Sequence, residues 1–412
     1  MKRQQSYFDK SRSTMADALE MTAASLNAYA VNYRHWSIAY SGGKDSSALV
    51  TVVLWLIAQG RIKAPESLTV LYSDTRQEIP PLQIGALKTL ETVRQMGHAA
   101  RVVLPELDDR YFVYMFGRGV PPPNNNTLRW CTSKIKIAPM INALKSLRDE
   151  HGEKFLMLTG VRVGESVVRD ARIALSCSRN GAECGQGWFQ EMTPDSVADT
   201  LAPLLHWRVC HVWDWLMFEA SAIIPSVSFV AQVYGGEEAE EINARTGCIG
   251  CPLATKDTAL DHVLSIPEWS YLQPLKRLRP LYIELRSFKH RKQKNGERNS
   301  DGNFSSNPSR KGPLILAARE WALKEVLAVQ SEINTNAERL GRPIIDLINA
   351  DEENRIRELI TLRTYPQRWS DADPDATVLI PQTHRNGDIQ AVLPLLFPDA
   401  AKAGGSIHDT RR

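Results

Sequence analysis

Apolar positions along the chain alternate between two spacings. Short apolar runs at residues 36–40, 68–72, 100–104 and 155–159 predict strands. Between them, residues 46–59, 81–96 and 136–149 carry helical spacing, the first two ended by Gly60 and Gly97. Strands separated by helices of about 10–15 residues predict right-handed βαβ units. The expected fold class is therefore α/β: an open, mostly parallel sheet with helices on both faces. Residues 14–29, rich in Ala, Leu and Met, predict a preceding helix capped by Ser13 or Thr14.

After Arg162 the pattern becomes irregular. Residues 176–188 are rich in Gly and Cys without periodicity. Residues 203–217 hold three tryptophans and then read as a helix, and 247–252 form a Cys-containing turn. Residues 286–312 are polar and basic, the composition of a surface loop or disordered arm. A helical span is expected over 314–360, then an extended tail from Tyr365. The expected organisation is an N-terminal helix (1–34), a nucleotide-type domain (35–285), a basic loop (286–312) and a helical region with its tail (313–412).

The chain has 412 residues, 43% hydrophobic and 24% charged, an ordinary globular balance. The longest apolar run, residues 48–58, is about half of the ~20 residues that a membrane helix needs. No secretory signal follows the first residues, so a cytoplasmic, reducing location is expected. There, six cysteines read as metal ligands or reactive thiols rather than disulfides. The net charge of +3 says little, but residues 286–311 hold eight Lys or Arg against two acids. Lys289, Arg291, Lys292 and Lys294 are dense enough to meet adjacent nucleic-acid phosphates, with Tyr282 and Phe288 available to stack on a base.

The sharpest chemical signal is Ser41-Gly42-Gly43-Lys44-Asp45-Ser46, placed after a strand and opening a helix. Glycines allow close backbone approach and positive φ, expected here at both Gly42 and Gly43. Amides at a helix start bind anions, and Lys44 adds a cation. The Walker spacing is absent. This segment resembles the PP-loop of the ATP pyrophosphatase superfamily, which cleaves ATP between the α and β phosphates. Further segments resemble phosphoadenosine phosphosulfate (PAPS) and adenylylsulfate reductases. They are Tyr72-Ser73-Asp74-Thr75, Arg129-Trp130-Cys131-Thr132, Gly160-Val161-Arg162 with Arg169, Pro203-Leu204-Leu205-His206-Trp207, and Gly247-Cys248-Ile249-Gly250-Cys251-Pro252. Trp130 stands where the reductases carry a first paired cysteine. Within the superfamily the set is most similar to the DndC-type DNA phosphorothioation proteins and their SspD-like relatives.

The resemblance implies ATP and Mg²⁺ as cofactors. It implies Lys44, Asp45, Arg162 and Arg169 as catalytic, and Tyr40, Ser41, Gly42, Gly43, Ser46, Ser73, Asp74 and Gly160 with Lys44, Asp45 and Arg162 around the nucleotide. Asp45 and Asp74 are candidates for Mg²⁺. It also favours a 4Fe–4S cluster on Cys131, Cys248, Cys251 and either Cys184 or Cys177; zinc and plain thiols stay open. The implied partners are DNA, a cysteine desulfurase as sulfur donor and other phosphorothioation proteins, in DNA modification and defence, with no membrane. The alternatives are a PAPS-type reductase, a tRNA thiolase, or a DNA-binding subunit with a degenerate nucleotide site. The reductase reading is weakened by the last ten residues, which hold no cysteine.

Overall fold

Thr14 opens helix α1 (Met15–Tyr29) with a reciprocal cap. Its hydroxyl accepts from the Asp17 amide at 3.1 Å, and the Asp17 carboxylate accepts from the Thr14 amide at 2.8 Å. The elements that follow are β1 (His35–Tyr40), α2 (Lys44–Ala58), β2 (Ser67–Ser73), α3 (Pro80–Gln95), β3 (Ala99–Val103), α4 (Ala138–His151) and β4 (Phe155–Leu158). Proline fits the first turns of α3 and α4, because an amide there has no helical partner.

The computed structural model describes residues 14–124, 128–164, 188–190, 197–234, 248–254, 256–293, 311–376, 380–383 and 389–392. Two units emerge: one of Met1–Pro105, Ser133–Cys248 and Thr258–Trp269, the other of Glu106–Thr132, Ile249–Asp257 and Ser270–Arg412.

The first unit holds a sheet of order β3-β2-β1-β4-β6-β5, with β5 at Trp188–Gln190 and β6 at Ala198–Ala202. All its pairings are parallel except β5 with β6. Strand β1 is central: Trp36 sits opposite Leu68 on one side and Leu156 on the other. Both faces are covered over β1, β2 and β4, so Ile38, Val70 and Leu156 are fully buried, and these strands read as apolar runs broken inside only by Ser37 and Thr69. The chain runs outward from β1 through β2 to β3, then returns to place β4 on the other side of β1. That reversal makes the carboxyl ends of β1 and β4 the switch point, where open α/β sheets bind ligands.

Helix α2 is buried nearly all round, and the Thr51 hydroxyl in its middle has a purpose. Thr51 accepts from the Trp215 indole at 2.8 Å, and Thr22 on α1 accepts from the Trp207 indole at 2.9 Å. Two tryptophans of the irregular region are thereby seated with their N–H groups satisfied. Helix α5 (Val209–Asp214) lies between them in sequence. Strand β6 has no apolar run because it carries Asp199, buried at 3% exposure. That carboxylate pairs with Lys154 at 2.8 Å and accepts from the Tyr33 hydroxyl at 2.7 Å.

In the second unit the expected span 314–360 is two helices, α8 (Leu316–Leu340) and α9 (Ala350–Thr361), preceded by α7 (Leu278–Glu284). Gly341, at φ +61°, ends α8, and Asn349 starts α9 with a capping box to Glu352. The basic loop is corrected in part. Residues 291–293 form strand β7 (Arg291–Gln293), paired with β8 (Lys311–Leu314). Arg291 and Lys292 are 7% and 3% exposed. The Arg291 guanidinium donates to the Gly312 carbonyl at 2.6 Å; the Lys292 ammonium donates to the Asp373 carbonyl at 2.7 Å and pairs with Asp375 at 3.1 Å. Lys289 pairs with Glu284 at 2.5 Å. Tyr282 is fully buried against the Tyr111 and Phe112 rings, so it is not available to a base. Lys294 lies outside the described residues, as does most of the tail.

Candidate nucleotide site

The loop after β1 is tied by its own side chains. Ser46 Oγ donates to the Gly43 carbonyl at 3.0 Å, the Ser41 amide donates to Ser46 Oγ at 3.2 Å, and the two serine hydroxyls lie 3.1 Å apart. Gly42 takes φ +75°, as expected, but Gly43 takes φ −85°, which any residue adopts. Glycine at 43 answers a need for space instead: a Cβ there would sit 3.2 Å from the Tyr234 hydroxyl oxygen. Gly43 caps α2 without a side-chain acceptor, so the first-turn amides of this helix are open to an anion.

Charge gathers around Asp45. Its Oδ2 lies 3.2 Å from the Lys44 ammonium and its Oδ1 accepts from Arg162 Nε at 2.6 Å. Arg162, 4% exposed, also donates to the Trp207 carbonyl at 3.2 Å. Gly160 makes this junction possible. A Cβ there would stand 2.9 Å from the Asp45 carbonyl carbon and oxygen and 3.1 Å from the Ser46 nitrogen. The segment leaving β4 can therefore lie directly on the first turn of α2. Tyr40 is buried in contact with Tyr72, ring centroids 5.8 Å apart, and burial pushes the Tyr40 phenol up, so it stays neutral.

At the end of β2, Asp74 organises the turn into α3. Its carboxylate accepts from the Arg76 amide at 2.8 Å and from the Gln83 side chain at 3.0 Å, with Arg76 at φ +61°. Sequence reasoning missed Glu78 in the same turn. The Thr75 hydroxyl donates to it at 2.6 Å and the Thr75 amide at 3.1 Å. Burial and the neighbouring Asp74 charge push its carboxyl up to about 7. The only sequence cue was an acid four residues after Asp74 and just before a proline-started helix.

The structure thus brings together Ser41, Gly42, Gly43, Lys44, Asp45, Ser46, Gly160 and Arg162, with Tyr40 beneath; Ser73 and Asp74 sit at the neighbouring strand end. Arg169, Cys177 and Cys184 lie outside the described residues. Both Asp45 oxygens and both Asp74 oxygens are engaged, so neither offers a preformed Mg²⁺ cage. The ion would enter with nucleotide phosphates supplying most of its ligands. Cys248 and Cys251 flank Gly250, at φ +62°, where a Cβ would stand 3.0 Å from the Arg279 nitrogen. These cysteines and Cys131 are partly exposed. Among the described residues no three His, Cys, Asp or Glu side chains gather to hold a metal; the expected fourth cluster ligand, Cys177 or Cys184, lies outside them, and no step is assigned to a cluster. Among the same residues no helix is long and apolar enough to cross a membrane.

Residues 35–235 match the family model of the phosphoadenosine phosphosulfate reductase domain. The match takes in β1 to β6 and the phosphate loop, just under half of the chain. An uncharacterized protein of Methanocaldococcus jannaschii is 26% identical over 182 residues, 44% of this chain and 31% of its own length, so the chain spans under a third of that relative. Similar solved structures include the phosphoadenylyl-sulfate reductase of Candida auris in a phosphate complex (10% identity, TM-score 0.31, covering 50% of this chain and 85% of that one). Another is the U34-tRNA thiolase NcsA of Methanococcus maripaludis with its 4Fe–4S cluster (12% identity, TM-score 0.30, covering 56% and 77%).

Proposed function

We propose that this protein is an ATP pyrophosphatase that adenylates an oxyanion and prepares it for sulfur. The observation that carries the reading is the switch-point cluster: an uncapped helix start, a glycine in the left-handed region, and two cations within 3.2 Å of Asp45. Anchored pyrophosphate at the loop would leave the α phosphate open to attack. The acceptor oxygen forms its bond to the α phosphorus as the bond to pyrophosphate breaks. Lys44, Arg162 and the helix-start amides neutralise the charge that develops on the leaving group.

The acceptor we propose is a backbone phosphate of DNA. The terminal sulfur of a persulfide from a cysteine desulfurase partner then bonds to the DNA phosphorus as AMP leaves, and a second thiolate takes the inner sulfur as a disulfide when the S–S bond breaks, leaving a phosphorothioate. Support for this choice is the motif set of the sequence, Arg129-Trp130-Cys131-Thr132 and Gly160-Val161-Arg162 together with the Cys248/Cys251 pair. That pair is proposed as part of an iron–sulfur site, with zinc as the alternative. The DNA path does not run over Arg291 or Lys292, which are buried. The test is transfer of label from α-phosphate-labelled ATP to duplex DNA, with RNA and sulfate as competing acceptors. Labelled DNA supports the reading; label on RNA or sulfate alone redirects it to a thiolase or a sulfonucleotide enzyme.

A further inference from the structure

Tyr234 lies 190 residues beyond Lys44 and belongs to none of the motifs discussed above. It is the last residue of helix α6 (Ser228–Tyr234), 5% exposed, with its ring edge-on to Trp213 at 5.4 Å between centroids. Trp213 is itself buried, so the ring is fixed from behind. Two features of the phosphate loop meet this one side chain. The Lys44 ammonium lies 5.3 Å from the ring centroid, over its face. The hydroxyl oxygen occupies the space that a side chain on Gly43 would need, 3.2 Å from a Cβ built there.

We infer that Tyr234 is the positioning residue of the phosphate loop, holding Lys44 in place with its ring and offering its hydroxyl to the nucleotide's phosphates. The inference rests on the nucleotide reading proposed above and names a further residue of that site. A lysine on a four-carbon stem samples many rotamers and loses them when it binds a phosphate. Here the ammonium is already held between the Asp45 carboxylate, at 3.2 Å, and the aromatic face. Preorganised charge costs no rearrangement when charge develops on the leaving group. The hydroxyl stands at Gly43, where the first turn of α2 opens, so an anion seated on those amides comes within reach of an O–H donor.

The two roles separate in two variants of the full chain. Tyr234→Phe keeps the ring and removes the donor. It should hold kcat for ATP cleavage and raise KM for ATP and Ki for pyrophosphate several-fold. Tyr234→Leu removes both, and its kcat should fall about 5- to 20-fold, the range a desolvated cation–ring contact supports. Rescue of kcat by Phe but not Leu is what a merely structural residue would not give. Wild-type kcat and KM in Tyr234→Leu overturn the inference and leave the nucleotide site standing. A wild-type protein that binds neither ATP nor pyrophosphate overturns both. If Tyr234→Leu fails to fold, Tyr234→Phe decides: an unchanged KM and Ki overturn the inference.

Discussion

Replacing Glu78 with glutamine should make the protein more stable above neutral pH and change little near pH 5. The wild-type carboxyl is pushed up to about 7 by burial and by the Asp74 charge, from an ordinary value of 4.5. A carboxyl raised in the folded state keeps a proton that the unfolded chain releases. Its contribution is therefore complete below about 4.5 and is lost as pH climbs through about 7. The gap converts to about 3 kcal/mol at ~1.4 kcal/mol per pH unit, and to roughly 2 once the partial exposure of the residue is allowed for. Glutamine mimics the protonated form. Its oxygen accepts from the Thr75 and Gln77 amides, and its NH₂ takes the place of the acid proton beside the Thr75 hydroxyl. Chemical denaturation of both proteins from pH 5 to 8.5 reads the difference directly. The wild-type curve should fall away from the variant's between pH 5 and 8. Two parallel curves, separated by a constant amount, would refute the claim that the Asp74–Glu78 turn is strained by charge.

Three further outcomes follow from particular contacts. Gly160→Ala should cost about 1–3 kcal/mol and weaken ATP binding, because the new methyl presses on the Asp45 backbone; wild-type melting and ATP affinity would contradict the close approach. Lys292→Ala should destabilise by about 1–3 kcal/mol through the stranded carbonyls of Asp371 and Asp373 while leaving DNA affinity and its salt slope unchanged; a flattened slope in a stable variant would return this residue to the DNA path. Anaerobically purified Cys248→Ser with Cys251→Ser should lose iron measured by elemental analysis; wild-type iron content would remove the pair from any metal site.

The parallel sheet was legible because both its faces are buried over β1, β2 and β4, which leaves Ser37 and Thr69 as the interior polar breaks in otherwise apolar runs. The same logic hid β6, whose Asp199 is buried only because Lys154 and Tyr33 reach it from distant segments. The phosphate loop was legible as a local string, but its charge arrangement was not. Asp45 reads from sequence as a candidate for Mg²⁺, and nothing local shows that Lys44 and Arg162 both converge on its carboxylate. Gly43 reads as a conformational glycine and proves to be a spatial one, because Tyr234 arrives from far along the chain. Arg291 and Lys292 read as solvated charge, since nothing local reveals that the carbonyls of Gly312, Asp371 and Asp373 will enclose them. In each case the deciding contact joins residues remote in sequence.

The central claim is that the loop after β1 anchors pyrophosphate while the α phosphate reacts. It is tested most directly by identifying the products of ATP turnover by the purified protein in the presence of DNA, beside Lys44→Ala. Arg162 still pairs with Asp45 when Lys44 is replaced, so the variant should stay folded, which its melting curve checks. The account predicts AMP and pyrophosphate in equal amounts from the wild type and neither from the variant. Release of ADP and phosphate, or undiminished AMP from Lys44→Ala, would contradict it.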